Sequence, residues 1–238
     1  MSTQGYARPD LLVETDWLEE HLDDPDIRIV DCDAFDVYRR AHIKGAVGIP
    51  VHHYIKHTEY PSAPRKYPLV APPETMKELM ESMGIGNDNL VVAYDSNGSL
   101  WAARLWWVLN YYGHTDIKVL NGGWKKWFDE GRAVRIDSPK IKGSTFIPRV
   151  NPDLVCTLEY GLSNVDSGIV FFDVRSDAEW DGTNDRGNKR VGHIPGAVHL
   201  EWRHFLRDDK YQTFKAAREL RALLDEVGAT PDKEVVTY

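Results

Sequence analysis

The chain has little of what specialised architectures need. Its 238 residues include only two cysteines, Cys32 and Cys156, too few for a disulfide framework and in no zinc-ligand spacing, so both read as reduced, structural thiols. No apolar run reaches the roughly 18 residues that span a bilayer. The opening MSTQGYARPDLLVETDW also lacks the basic-then-apolar order of a secretory signal, so no membrane partner is expected and the cytoplasm is the expected compartment. Basic residues are outnumbered, 29 Lys and Arg against 37 Asp and Glu, for a net charge of −8. Most of the surface therefore repels a phosphate backbone, which argues against a nucleic-acid partner. What remains, 42% hydrophobic and 28% charged, is a globular composition with material for one large core or two of ordinary size.

Comparison of the chain with itself reveals a tandem repeat. GIGNDNLVVAY (84–94) aligns without a gap on GATPDKEVVTY (228–238) at an offset of 144, with Gly, Asp, Val, Val and Tyr coinciding. HIKGAV (42–47) matches HIPGAV (193–198) at an offset of 151, and IRIVD ending at Asp31 matches IVFFD ending at Asp173. The changing offsets place the length differences between the matched blocks, in loops that tolerate them.

Each copy alternates short apolar strands with amphipathic helices, the pattern of an α/β domain whose parallel sheet is flanked by helices. In copy one the pattern predicts strands at Ile27–Val30, Leu90–Tyr94 and Ile117–Leu120. Helices are predicted at Glu74–Met83, Leu100–Tyr112 and Trp124–Glu130, closed by Gly84, Gly113 and Gly131. Residues 132–153 carry three prolines, mixed charge and no period, and read as a linker. The organisation is thus domain one over 8–131, linker over 132–153 and domain two over 154–238, the second copy stopping partway through the pattern of the first.

Chemistry on such a sheet belongs where a buried strand gives way to a helix N-terminus, because unpaired backbone N–H groups and the helix dipole converge there on an anion. In copy one that place is YDSNGS (94–99), headed by Asp95. Without further information Asp95 reads as a helix-capping carboxylate. Its copy-two counterpart is the position after Tyr238.

The blocks FDVRSDAEW and GHIPGAVHLEW, the tandem arrangement and the VVTY strand resemble the two-domain rhodanese family, the thiosulfate and 3-mercaptopyruvate sulfurtransferases. The resemblance covers nearly the whole chain. It implies two rhodanese-like domains, a catalytically silent first domain with an acidic residue at the loop head, which Asp95 matches, and a nucleophilic cysteine directly after a strand like EVVTY. It implies a sulfane sulfur carried from thiosulfate or 3-mercaptopyruvate to cyanide or a thiol acceptor through a cysteine persulfide. Small-molecule donor and acceptor would be the partners, and no cofactor or metal is called for. A cysteine in such a loop would be favoured as the thiolate by the surrounding N–H donors.

The resemblance also assigns donor-anion binding to an arginine seven residues before the histidine of GHIPG, where Arg186 precedes His193. A second family arginine, four residues after the position of Arg175, is replaced here by Glu179. Arg175 is therefore a secondary candidate for substrate contact, and more plausibly an ion-pair partner of Glu179 that holds the loop. Arg190 is the next cation in line. His52, His53 and His57 lie in a Pro-flanked loop without acidic or thiol partners and read as loop residues. His42 and His193 are repeat-equivalent and read as turn builders. Trp101, Trp106 and Trp107 lie on a helix apolar on nearly every face, which reads as buried. Cys32 and Cys156 sit in no activating loop.

Two hypotheses of different class stay open: a sulfurtransferase whose nucleophile follows Tyr238, or a rhodanese-like module used for binding or regulation without catalysis. A phosphatase or arsenate reductase on the related fold would need a longer nucleophile loop, for which DSNGS offers no support. The first hypothesis expects a natural polypeptide about 35–40 residues longer, the span from Asp95 to Gly131 in copy one. It also expects residues 1–238 alone to lack activity. Intact mass of the protein from its source checks this; a mass near 27.2 kDa would contradict it.

Overall fold

The computed structural model describes residues 5–49 and 70–238, which divide into two compact units. Of these, unit one holds residues 8–49, 70–154 and 209–213; unit two holds 5–7, 155–208 and 214–238.

Unit one is built on five parallel strands in the order β1-β6-β5-β2-β4. These are β1 (Leu12–Val13), β2 (Ile27–Asp31), β4 (Val47–Gly48), β5 (Leu90–Tyr94) and β6 (Ile117–Leu120). A parallel sheet covered on both faces needs near-continuous apolar runs instead of alternation. LVVAY and IKVL supply them: Val91, Val92, Ala93, Tyr94 and Leu120 are fully buried. The covering helices are α1 (Thr15–Glu20), α2 (Phe35–Tyr38), α3 (Pro73–Ser82), α4 (Leu100–Tyr111) and α5 (Gly123–Asp129). The glycines expected after α3, α4 and α5 are there with positive φ. At Gly113 the requirement is double: φ is +76°, and a Cβ would stand 2.9 Å from the Arg149 carbonyl oxygen.

Helix α4 buries Ala102, Leu105, Val108 and Leu109, a stripe at helical spacing. Trp101, Trp106 and Trp107 are only half-buried, so the expected all-round burial of this helix does not hold. Bulky rings at the edge of a contact can cover apolar surface without being enclosed by it. Residues 132–153, aperiodic in sequence, pack on unit one through individual anchors. Strand β7 (Val134–Arg135) pairs antiparallel with β3 (His42–Ile43), Phe146 is fully buried, and the amides of Arg149 and Asn151 donate to the Tyr112 and Tyr111 carbonyls at 2.8 and 2.7 Å.

Unit two repeats the centre of that sheet. Strands β8 (Val170–Asp173), β9 (Val198–His199) and β10 (Val235–Thr237) run parallel in the order β10-β8-β9. The repeat holds to the register. Ala93 sits opposite Val30 and Val30 opposite Val47 in unit one; Thr237 sits opposite Phe172 and Phe172 opposite Val198 in unit two, each an equivalent pair under the sequence offsets. The core is smaller: Val170, Phe172 and Ala229, with Val198, Leu200, Phe205, Leu224 and Val227 packed against them. Helix α8 (Ala217–Glu226) lies on this core and α6 (Leu158–Ser163) on its flank.

Burial differs sharply between equivalent positions. Val91 in β5 is fully buried, whereas its counterpart Val235 in β10 is 37% exposed, and Leu158 and Leu162 of α6 are 78% and 68% exposed. Strand amides protected by few apolar neighbours open at low cost. In hydrogen exchange on residues 1–238, the amides of Val235–Thr237 are expected to exchange on the order of tenfold or more faster than those of Val91–Ala93. Equal protection would mean that burial does not set local stability here.

Candidate active-site loops of the two repeats

Both repeats tie the end of one strand to a turn through a tyrosine and an aspartate. In unit one the Tyr94 hydroxyl donates to Asp31 Oδ2 at 2.6 Å and accepts the Ile43 N–H at 3.1 Å. In unit two the Tyr238 hydroxyl accepts the Ile194 N–H at 3.0 Å, and it helps hold the Asp173 carboxyl low. Main-chain bonds repeat as well: Cys32 N–H to Tyr94 O and Val174 N–H to Tyr238 O, Ile49 N–H to Asp31 O and Leu200 N–H to Asp173 O. The histidines of the two turns play one part. His42 Nδ1 donates to Tyr38 O at 2.9 Å with the rings 4.0 Å apart, and His193 Nδ1 donates to Trp180 O at 3.1 Å with the rings 3.5 Å apart. They build the turn, as their equivalence suggested.

Above Tyr94, the loop closes around Asp95, which is 2% exposed. Oδ1 accepts the N–H groups of Asn97 and Ser99 at 2.8 and 2.9 Å; Oδ2 accepts those of Trp101 and Ala102 at 2.8 and 2.9 Å. Four backbone donors thus converge on one anionic group, two from the loop and two from the first turn of α4. Ser99 takes the left-handed conformation (φ 66°) that bends the loop into the helix. The base is held from α5: the Trp124 N–H donates to Asp95 O at 2.9 Å, and a Cβ at Gly123 would lie 2.1 Å from that oxygen, so only glycine fits. Asp95 is therefore the helix cap its sequence position suggested, in a cradle suited to an anion.

The surroundings of Asp95 are acidic. Asp33 Oδ1 accepts from the Ser96 N–H and hydroxyl at 3.1 and 2.9 Å. Burial pushes the Asp31 carboxyl up to about 7, helped by the charges of Asp33 and Asp95. Burial likewise raises Asp33, and burial with these three carboxylates pushes the Cys32 thiol up. Cys32 is 1% exposed and cannot supply a thiolate at neutral pH. Cys156 is exposed, but burial of its thiol and the nearby Glu234 raise it too. The helix that follows is capped by the Thr157 hydroxyl, which accepts the Tyr160 N–H at 3.1 Å.

In unit two the side chain two residues after the aspartate is Arg175. Its Nε lies 3.0 and 3.1 Å from the Asp173 carboxylate oxygens, its Nη2 donates to Asp173 Oδ2 and to Gly192 O at 2.9 Å, and its guanidinium stands 5.4 Å from the Tyr238 ring centre. Burial works against the Asp173 anion, yet the Arg175 hydrogen bonds outweigh it and hold this carboxyl below its ordinary value. The expected Arg175–Glu179 pair is not formed. Glu179 instead caps α7 (Asp177–Trp180) by accepting the Ser176 hydroxyl at 2.7 Å, and pairs with Arg186 Nη2 at 3.0 Å. Arg175 precedes that helix, so the four-residue spacing is not a helical one and Asp173 is nearer. Arg186 is exposed in a loop with φ 49°. His52, His53 and His57 lie outside the described residues, among which no metal-binding group of His, Cys, Asp or Glu is assembled. No described helix is long and apolar enough to cross a membrane.

The partners of Asp31 and Asp173 escaped the sequence reading, although Asp, Ile and Tyr recur at every matched block. A polar residue repeated at the end of two buried strands was the available signal.

Comparison with known proteins follows the same division. The rhodanese-like domain profile matches residues 14–130 and again 157–238. The sulfur carrier protein TtuD of Thermus thermophilus is 34% identical over 256 residues, spanning 98% of this chain and 84% of that protein. A thiosulfate sulfurtransferase of Corynebacterium glutamicum is 30% identical over 250 residues, spanning 99% and 78%. Among solved structures, SseA of Escherichia coli, described among the 3-mercaptopyruvate sulfotransferases, superposes with a TM-score of 0.83 at 26% identity, covering 95% of this chain and 87% of that one.

The paired aspartates give a direct test. By carboxyl-carbon NMR, Asp31 is expected to titrate near 7 and Asp173 below its ordinary value. Because the folded Asp31 value is raised, its contribution to stability is complete below about pH 4 and is lost as pH rises through about 7. Equal midpoints for the two residues would contradict the assignment.

Proposed function

The chain belongs to the rhodanese-like domain family, and we propose that it is a sulfurtransferase taking a sulfane sulfur from thiosulfate or 3-mercaptopyruvate to cyanide or a thiol acceptor. The observation that carries this reading is the cradle of four N–H donors around Asp95, together with the register match between the two sheets. Asp95 marks the silent copy. The equivalent position in copy two follows Tyr238, and a cysteine there would be the persulfide carrier.

The proposed chemistry needs an anion-stabilising loop and little else. The thiolate attacks the outer sulfur of thiosulfate; a new S–S bond forms, and the old one breaks with its electron pair leaving on sulfite. The cyanide carbon, or an acceptor thiolate, then takes the outer sulfur and returns the enzyme thiolate. Backbone donors aimed at the sulfur keep it anionic at neutral pH. No cofactor takes part. Arg186 is the proposed donor-anion contact, since its side chain is 62% exposed and its only side-chain partner among those described is Glu179 of α7, with Arg190 next. Arg175 is less suited to this part because Asp173 and Gly192 occupy its guanidinium. We place the protein in the cytoplasm with small-molecule partners, and its charge of −8 argues against nucleic acid.

Thiosulfate-dependent thiocyanate formation by the natural protein is the test. Cys32→Ser and Cys156→Ser are expected to keep the rate, and loss of activity in Cys156→Ser would relocate the nucleophile. Arg186→Ala is expected to raise the donor KM about tenfold or more, as for a lost charge-assisted hydrogen bond. An unchanged KM would move the anion site to Arg190.

A further inference from the structure

We infer that Arg175 is a positioning residue of the transfer loop: by clamping Asp173 and standing over the Tyr238 ring it fixes the end of β10 and puts a cation where the silent copy carries an acid. The inference rests on the sulfurtransferase reading and deepens it.

The two copies offer a comparison within one chain. At the same place, two residues after the strand aspartate, the backbone amide makes the same bond: Asp33 N–H to Asp31 Oδ1 and Arg175 N–H to Asp173 Oδ1, each at 2.9 Å. The frame is therefore common, and only the side chain differs. In copy one that side chain, Asp33, reaches the loop itself and holds Ser96, the residue after Asp95. The position thus addresses the loop at the point where chemistry would occur in copy two.

There Arg175 joins three pieces of chain: the end of β8 through Asp173, the entry to the His193 turn through Gly192 O, and the end of β10 through the face of Tyr238. Tyr238 is in turn held by the Ile194 N–H at 3.0 Å and by the Val174 N–H on its carbonyl at 3.2 Å. A residue following Tyr238 therefore inherits its position from this clamp. The other charged or titratable groups facing Arg175 are few. Glu179 adds to its field, and His199 Nε2 donates to the Arg175 carbonyl at 3.0 Å, with Asp177 3.8 Å from its other ring nitrogen.

The sign of the charge matters as much as the position. Copy one gathers Asp31, Asp33 and Asp95, and an adjacent thiol, Cys32, is driven away from ionisation by its burial first and by these acids in addition. An unneutralised Asp173 beside the copy-two loop would oppose a thiolate in the same way. Arg175 removes that opposition while contacting neither donor nor acceptor.

The test uses Arg175→Gln and Arg175→Lys in the natural protein, with two readouts. The first needs no activity: the Asp173 carboxyl midpoint, followed by carboxyl-carbon NMR, is expected to rise above its ordinary value in Arg175→Gln and to stay below it in Arg175→Lys. The second is the pH profile of alkylation of the loop thiol by iodoacetamide. In Arg175→Gln its midpoint is expected to move up by about one unit, a tenfold loss of thiolate near neutrality. The turnover rate should fall with it, recover at higher pH, and leave the donor KM within about twofold; Arg175→Lys should retain the wild-type alkylation midpoint. An Asp173 midpoint unmoved in Arg175→Gln would overturn the clamp. A raised donor KM with an unmoved alkylation midpoint would make Arg175 a donor ligand instead. Absence of thiocyanate formation in the wild type would defeat the sulfurtransferase reading, separately from the Asp173 result.

Discussion

A tyrosine hydroxyl that takes up a turn amide beside a strand aspartate is the contact on which both halves of this chain depend. In unit one the buried Tyr94 donates to Asp31 and accepts from Ile43; in unit two the half-buried Tyr238 accepts from Ile194 beside Asp173. Each set joins two neighbouring parallel strands to the turn of the HIxGAV block. The residue after the tyrosine is thereby placed at a fixed height above the sheet. Leaving one partner of a buried hydrogen bond unsatisfied costs about 1–3 kcal/mol, a large share of the about 5–15 kcal/mol that holds a domain together. It follows that Asp and Tyr recur in both copies while the loops between them vary in length.

On this common frame the two copies differ in charge. Unit one places a carboxylate inside the cradle of N–H groups and sets two more beside it; burial, with a smaller push from these neighbours, brings Asp31 up to about 7 and makes Cys32 inert. A permanent side-chain anion fills the place where a reacting one would sit, and the loop is satisfied without a ligand. Unit two answers the equivalent aspartate with Arg175.

Much of this was legible in the sequence because the signals were local. Strands Leu90–Tyr94 and Ile117–Leu120 coincide with their expected limits, since each is a short apolar run bounded by polar or glycine punctuation. The helices before Gly84, Gly113 and Gly131 shift by only a residue, because a left-handed glycine stops a helix wherever it falls. The repeat itself pointed to the loop headed by Asp95, where four backbone N–H groups converge. What escaped was set in three dimensions. Arg175 was matched to Glu179 by sequence distance, but Ser176 claims that glutamate for a capping box, leaving Arg175 to Asp173. Residues 132–153 show no period because Phe146 and the amides of Arg149 and Asn151 anchor them singly, which no pattern of spacing encodes.

The central claim is that sulfur passes through a persulfide on the copy-two loop while the copy-one loop stays silent. Peptide mass spectrometry of the natural protein after incubation with thiosulfate tests it most directly. One added sulfur atom, removable by cyanide, is predicted on the peptide that contains Tyr238 and the residue after it, with Cys32 and Cys156 unmodified. Sulfur found on Cys32 or Cys156, or on no peptide at all, would contradict the account.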